Sequence, residues 1–117
     1  MKEILASNYS LKYEEEQNTV TLSGSLRLNG PVEYEPISSM LNQAMQQEPP
    51  PPQFKLDLRQ LQFLNSFGIN MLSRFIISVR RQTSTRIVLE ISREIPWQAK
   101  SLQNLQKLMP ALELVYN

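Results

Sequence analysis

The sequence predicts an α/β fold, a single domain over residues 1–117 whose mixed β-sheet carries packed helices in the order β-β-α-β-α-β-α-β. Three observations predict it. Apolar and polar residues alternate with a period of two early in the chain, which marks half-buried strands. From Pro36 onward, segments of helical period alternate with short strand-like runs, the pattern of successive βαβ units with right-handed crossovers. The 117 residues, 41% hydrophobic and 20% charged, have the balance of a globular chain long enough for one core.

The elements follow in order. Tyr9, Leu11 and Tyr13 alternate with Ser10, Lys12 and Glu14; Glu16-Gln17-Asn18 interrupts, and Val20, Leu22, Leu26 and Leu28 resume the alternation. An antiparallel hairpin explains this, and Asn29-Gly30-Pro31 ends its second strand. Ile37, Leu41, Ala44 and Met45 share one helical face, with the helix running to about Gln47 and Pro36 expected in its first turn. Pro49 to Pro52 reads as a stiff extended spacer, and an SH3 or WW ligand is the sharper alternative.

Phe54, Leu56 and Leu58 form the next strand, continued by Leu61 and Phe63. Asn65-Ser66 then opens the strongest amphipathic segment, with Gly68, Ile69, Leu72, Phe75, Ile76 and Val79 on one face. Arg80 and Arg81 in its last turn complement the helix dipole. Ile87 to Ile91 is a short buried strand, Pro96 starts a helix with Leu102, Leu105 and Met109 inward, and Leu112, Leu114 and Tyr116 make the last strand.

Composition excludes much chemistry. With no cysteine and no histidine, there are no disulfides, thiolate nucleophiles, zinc sites of the usual kind or imidazole bases. Three glycines leave no phosphate-binding loop. No acid/base pair emerges, and the chain reads as a non-enzyme with no cofactor and no metal. A net charge of +1 gives no reason to expect nucleic acid. Its distribution is uneven: residues 1–58 hold four Lys/Arg against eight Asp/Glu, and residues 59–117 hold eight against three. No apolar stretch suits a signal peptide or a membrane span, so the expected location is cytoplasmic.

The stretch Phe54-Lys55-Leu56-Asp57-Leu58-Arg59-Gln60-Leu61-Gln62-Phe63-Leu64-Asn65-Ser66-Phe67-Gly68-Ile69 resembles the signature region of STAS domains, the family of anti-sigma-factor antagonists. That region is a strand with Leu-Asp-Leu, a spacer, an apolar pair, then Asp-Ser-Ser-Gly-Leu opening a helix. The family's element order also matches from Tyr9 to Tyr116. Three departures stand out. Asn65 replaces the acidic residue, Phe67 replaces the second serine, and the further helix that many members carry does not follow the last strand.

The resemblance implies partner switching. The serine after the acidic position, here Ser66, is the residue phosphorylated by a partner kinase, and the modified domain releases its regulator. The partner implied is a serine kinase or anti-sigma-like regulator. It would dock on Asn65, Ser66, Phe67, Gly68, Asn70, Arg74 and Ile77, with Phe67 and Ile77 as apolar contacts and Arg74 as a charged anchor. The plainer alternative makes Asn65-Ser66 a helix cap, Gly68 a packing glycine and Phe67 part of the core margin. Two further alternatives stay open: a non-switching structural subunit of a larger assembly such as a membrane transport complex, and a small-ligand binder with a pocket near Ser66. A homodimer through an edge strand is a further expectation. Asp57 reads as a polar residue on the second strand face, and Trp97 as an aromatic shielding a strand–helix junction.

Overall fold

A computed structural model describes residues 2–117, and for Leu108 the backbone alone. Six strands form one mixed sheet in sequential order: β1 (Lys2–Leu5), β2 (Tyr9–Glu14), β3 (Thr19–Leu26), β4 (Gln53–Leu64), β5 (Arg86–Ile91) and β6 (Glu113–Tyr116). Helices α1 (Gly30–Ala44), α2 (Ser66–Gln82) and α3 (Pro96–Leu108) connect the last four strands. The pairs β1–β2 and β2–β3 are antiparallel, and the pairs from β3 to β6 are parallel.

The order departs from the expected one at its start. Lys2–Leu5 is a strand, paired with β2 from Lys2↔Tyr13 to Leu5↔Ser10, so the leading hairpin is a three-stranded meander. Four residues, two of them charged, carry too little periodicity to be read as a strand, and short charged segments are the usual occupants of sheet edges. The second departure is α1. It begins at Gly30, with Pro31 in its first turn, and Pro36 lies inside the helix rather than at its start. Pro36 cannot donate to the carbonyl four residues back, that of Val32. Both residues are exposed, so water can satisfy that carbonyl.

Each parallel crossover steps one strand in the same direction, so right-handed connections place all three helices on one face of the sheet. The strand residues obey this. Leu11, Val20, Leu22, Phe54, Leu56 and Leu89 point to the helices and are fully buried. From α2, Leu72, Phe75, Ile76 and Val79 complete the core, with Phe75 edge-on to Phe54 at a ring distance of 5.7 Å. Met71 is buried as well, and Ile69, expected on that face, is half-buried.

The opposite face has no helix and is polar. Lys55 Nζ lies 2.8 Å from Glu90, Arg59 Nε lies 3.3 Å from the same carboxylate, and Arg59 forks onto Asp57 with bonds of 2.9 and 2.7 Å. Asp57 is thus the face residue expected of it. Burial alone would raise its pKa, but the Arg59 hydrogen bonds and the charges of Arg59 and Lys55 outweigh this and hold the carboxyl below its ordinary value.

A carboxyl whose folded-state pKa is depressed contributes stability that is complete above its unfolded pKa, near pH ~3.9, and is lost as pH falls through the lower folded value. Asp57→Asn should therefore lower stability at pH 7. The difference from wild type should shrink as pH drops below about 4. Urea melts across that range check this, and a pH-independent difference would assign the loss to packing instead of charge.

Candidate functional site

The parallel strands β3, β4 and β5 end at one edge of the molecule, where all three helices begin. In open α/β sheets ligands bind outside the carboxyl ends of the strands, at a point where the strand order reverses, and this sequential sheet has no such reversal. Four of the large apolar residues that stay exposed among the described residues belong to this edge: Leu5 at the end of β1, Val32 in α1, Phe63 near the end of β4 and Phe67 in the first turn of α2.

At its centre is Asn65, the cap of α2. Its Oδ1 accepts from the Gly68 amide at 3.0 Å and from the Tyr34 hydroxyl at 2.7 Å, and its Nδ2 donates to the Leu28 carbonyl at 2.8 Å. The Asn65 backbone amide donates to Leu26, and its carbonyl accepts from Ile69. One residue therefore joins the end of β3, the loop into α1, α1 itself and the start of α2. Burial raises the Tyr34 hydroxyl pKa, keeping it a donor. Gly68 is required by the same packing: a Cβ there would lie 2.2 Å from Leu64 Cδ1 and 2.9 Å from the Tyr34 hydroxyl.

Because Asn65 is the cap, Ser66 is not. Ser66 is the first helical residue, exposed, and its hydroxyl has no side-chain bond among the described residues. The cap reading therefore belongs to Asn65 alone, and Ser66 is left outside it. Phe67 is 44% exposed, which removes it from the core margin. Asn70 and Arg74 are exposed on the same side of α2, and Ile77 is half-buried. Gly68 is buried and belongs to the packing rather than to an accessible surface.

The strand leading to Ser66 is held by residues with no distinctive sequence signal. β4 pairs with β5 only to Asp57, and its register with β3 shifts twice before Leu64. Gln98, fully buried, donates to the carbonyls of Leu58 and Leu61 at 2.6 and 3.0 Å and accepts from the Ser92 amide at 2.8 Å. Trp97 Nε1 donates to the Gln62 carbonyl at 2.8 Å. Two side chains of α3 thus stand where a neighbouring strand would be. Trp97 covers the junction as expected, while Gln98 is legible only once the bend in β4 is known.

The hollow beside the β1–β2 turn, about 610 Å³, is lined by Ala6, Ser7, Asn8, Tyr9, Ser25, Arg27 and Leu28. It holds no carboxylate, and its one cation, Arg27, stacks on Phe63 at 4.4 Å. No group of metal-binding side chains and no helix long and apolar enough to cross a membrane occurs among the described residues.

Asn65→Asp tests the hub. The carboxylate keeps the cap and gains about 0.3–1 kcal/mol from the helix dipole, but it places an acceptor against the Leu28 carbonyl, at a loss of about 1–3 kcal/mol. A lower melting temperature, by roughly 5 °C, is expected. Gly68→Ala should also destabilise, although alanine is the better helix former by about 1 kcal/mol. Stability at or above wild type in either variant would contradict the packing described. Comparison with protein-family models, curated proteins and solved structures finds no match to the chain, so these roles stand on geometry.

Proposed function

We propose that this chain is a non-enzymatic regulatory module of the STAS-like, anti-sigma-factor-antagonist kind, which binds a protein partner through the start of α2 and is switched by phosphorylation of Ser66. The observation that carries the reading is the division of labour between Asn65 and Ser66. Capping is assigned to a half-buried amide, and the neighbouring hydroxyl is left outward and unengaged.

The first amides of α2 have no intrahelical carbonyl to reach, and the positive end of the helix dipole accommodates an anion. A phosphate on Ser66 would add about −1.5 to −2 charges without displacing any bond of the fold. A partner seated on Phe67, Asn70 and Arg74 would meet that charge at close range. The partner class is a serine kinase or an anti-sigma-like regulator.

A second reading, a constitutive subunit of a larger assembly such as a transport complex, is favoured by one observation. The side chain beside Ser66 is an amide committed to Tyr34, Gly68 and Leu28, so no carboxylate is at hand to orient the hydroxyl for a kinase.

Affinity purification from the native cell with wild type, Ser66→Ala and Ser66→Asp separates them, read together with phosphopeptide mass spectrometry. Under the switch, Ser66→Asp keeps the fold and weakens the partner by roughly a hundredfold, equivalent to ~3 kcal/mol, while Ser66→Ala binds as wild type. A partner held equally by all three forms, with Ser66 unmodified in the cell, would leave the constitutive subunit.

A further inference from the structure

The helical layer divides its charge sharply. α1 carries Glu33 and Glu35 and no cation; α2 carries Arg74, Arg80 and Arg81 and no acid; α3 carries Lys100 and Lys107 and no acid. The boundary between the acidic and basic parts is a cleft between α1 and α2. Pro31, Tyr34, Phe67 and Met71 give it apolar walls, with Glu35 and Ser38 on one rim and Asn70 and Arg74 on the other.

Its volume, about 200 Å³, suits one large side chain. It falls below the roughly 300–1,000 Å³ of small-molecule sites. Among the described residues Arg74 and Arg81 are exposed and engaged by no acid, and they lie two turns apart on one side of α2. Glu35, among the described residues, is bonded only by the Ser39 hydroxyl, at 3.2 Å.

We propose that this cleft receives an acidic peptide segment of the partner. One large apolar side chain enters between Phe67 and Met71, and carboxylates lie over Arg74 and Arg81. The proposal rests on the reading of α2 as the partner-binding helix and adds the α1 wall and the partner's chemistry to it.

Charge complementarity chooses the occupant. A uniform polyanion, whether a nucleic acid or an anionic bilayer, would be drawn to α2 and repelled by Glu35 across the cleft. A segment with acids on one side only satisfies both rims. The apolar anchor supplies affinity in a site that excludes water, and the acids supply orientation and a salt-dependent approach.

A displayed library of random linear peptides, panned on the whole chain, tests this without the native partner and without altering Ser66. The enriched sequences should pair a large apolar residue with Asp or Glu one to two helical turns away. Synthetic copies of them should lose about tenfold in affinity both with Arg74→Glu, at the rim, and with Ser38→Trp, which plugs the cleft. Replacing the peptide acids with lysine should restore binding to Arg74→Glu. The proposal is overturned by basic or charge-free consensus peptides, by no enrichment over the Ser38→Trp chain, by affinity indifferent to Arg74→Glu, or by retention on duplex DNA or phosphatidylserine vesicles at the same salt. Any of these leaves the Ser66 experiment standing. Conversely, a partner indifferent to Ser66→Asp but lost with Arg74→Glu would keep the cleft and remove the switch.

Discussion

The architecture of the edge where the parallel strands end depends on one amide side chain. Asn65 has an acceptor and a donor to place, and both are committed: Oδ1 to Gly68 and Tyr34, Nδ2 to Leu28. A carboxylate can fill only the acceptor half and a hydroxyl reaches fewer partners, so the identity of this residue follows from where its neighbours put their polar groups. The buried Tyr34 hydroxyl has Asn65 Oδ1 at 2.7 Å and the Leu26 carbonyl at 3.3 Å as acceptors, Gly68 leaves no room for a side chain beneath it, and the Leu28 carbonyl is met by the Asn65 amide. Cap, helix contact and loop anchor form one connected network, and a connected network is disrupted as a whole when one member is removed.

A second constraint acts from the other side of β4. Parallel pairing with β5 stops at Asp57, yet the strand continues for seven residues toward the cap of α2. Its carbonyls at Leu58 and Leu61 turn into a buried setting where unpaired oxygens would be costly. Gln98 meets both at once and passes its own oxygen to Ser92. This gives a structural account of why an amide sits fully buried in the first turn of α3. It also fixes α3 relative to the segment that presents Ser66, so the exposed hydroxyl stands on a frame clamped by α1 through Tyr34 and by α3 through Gln98.

How much of this was legible in the sequence follows from the range of each interaction. Five strands and three helices could be read because their apolar residues recur with the period of the element, a property local to a dozen residues. The strand Lys2–Leu5 escaped because an edge pairs on one side only and needs no buried face of its own. The start of α1 was misplaced because Pro36 carries a strong local prohibition that solvent relieves at an exposed turn. In the site, the cap could be read from Asn-Ser before an amphipathic run. Which of the two residues caps, and that Asn65 must also donate, depend on Leu28 and Tyr34, more than thirty positions away. Gln98 had no signal at all, since its partners are backbone carbonyls made available by a bend in another element.

The capping role of Asn65 and the switching role proposed for Ser66 fall on adjacent but physically separate residues, and the proposed switch depends on that separation. Asn65 and Gly68 point inward and carry the fold; Ser66 and Phe67 point outward and bear no part of it. A modification at Ser66 therefore acts on whatever approaches the edge and leaves the capping network intact. The apolar and cationic groups that would hold a partner lie along the same helix, on the side away from the sheet. A charge placed at the start of α2 changes the potential a partner meets there, while the polar groups beneath, Asn65 and Tyr34, keep the bonds they already make. Had Ser66 been the cap, the same phosphate would have altered the bond that starts the helix, and the modification would have been coupled to the capping network.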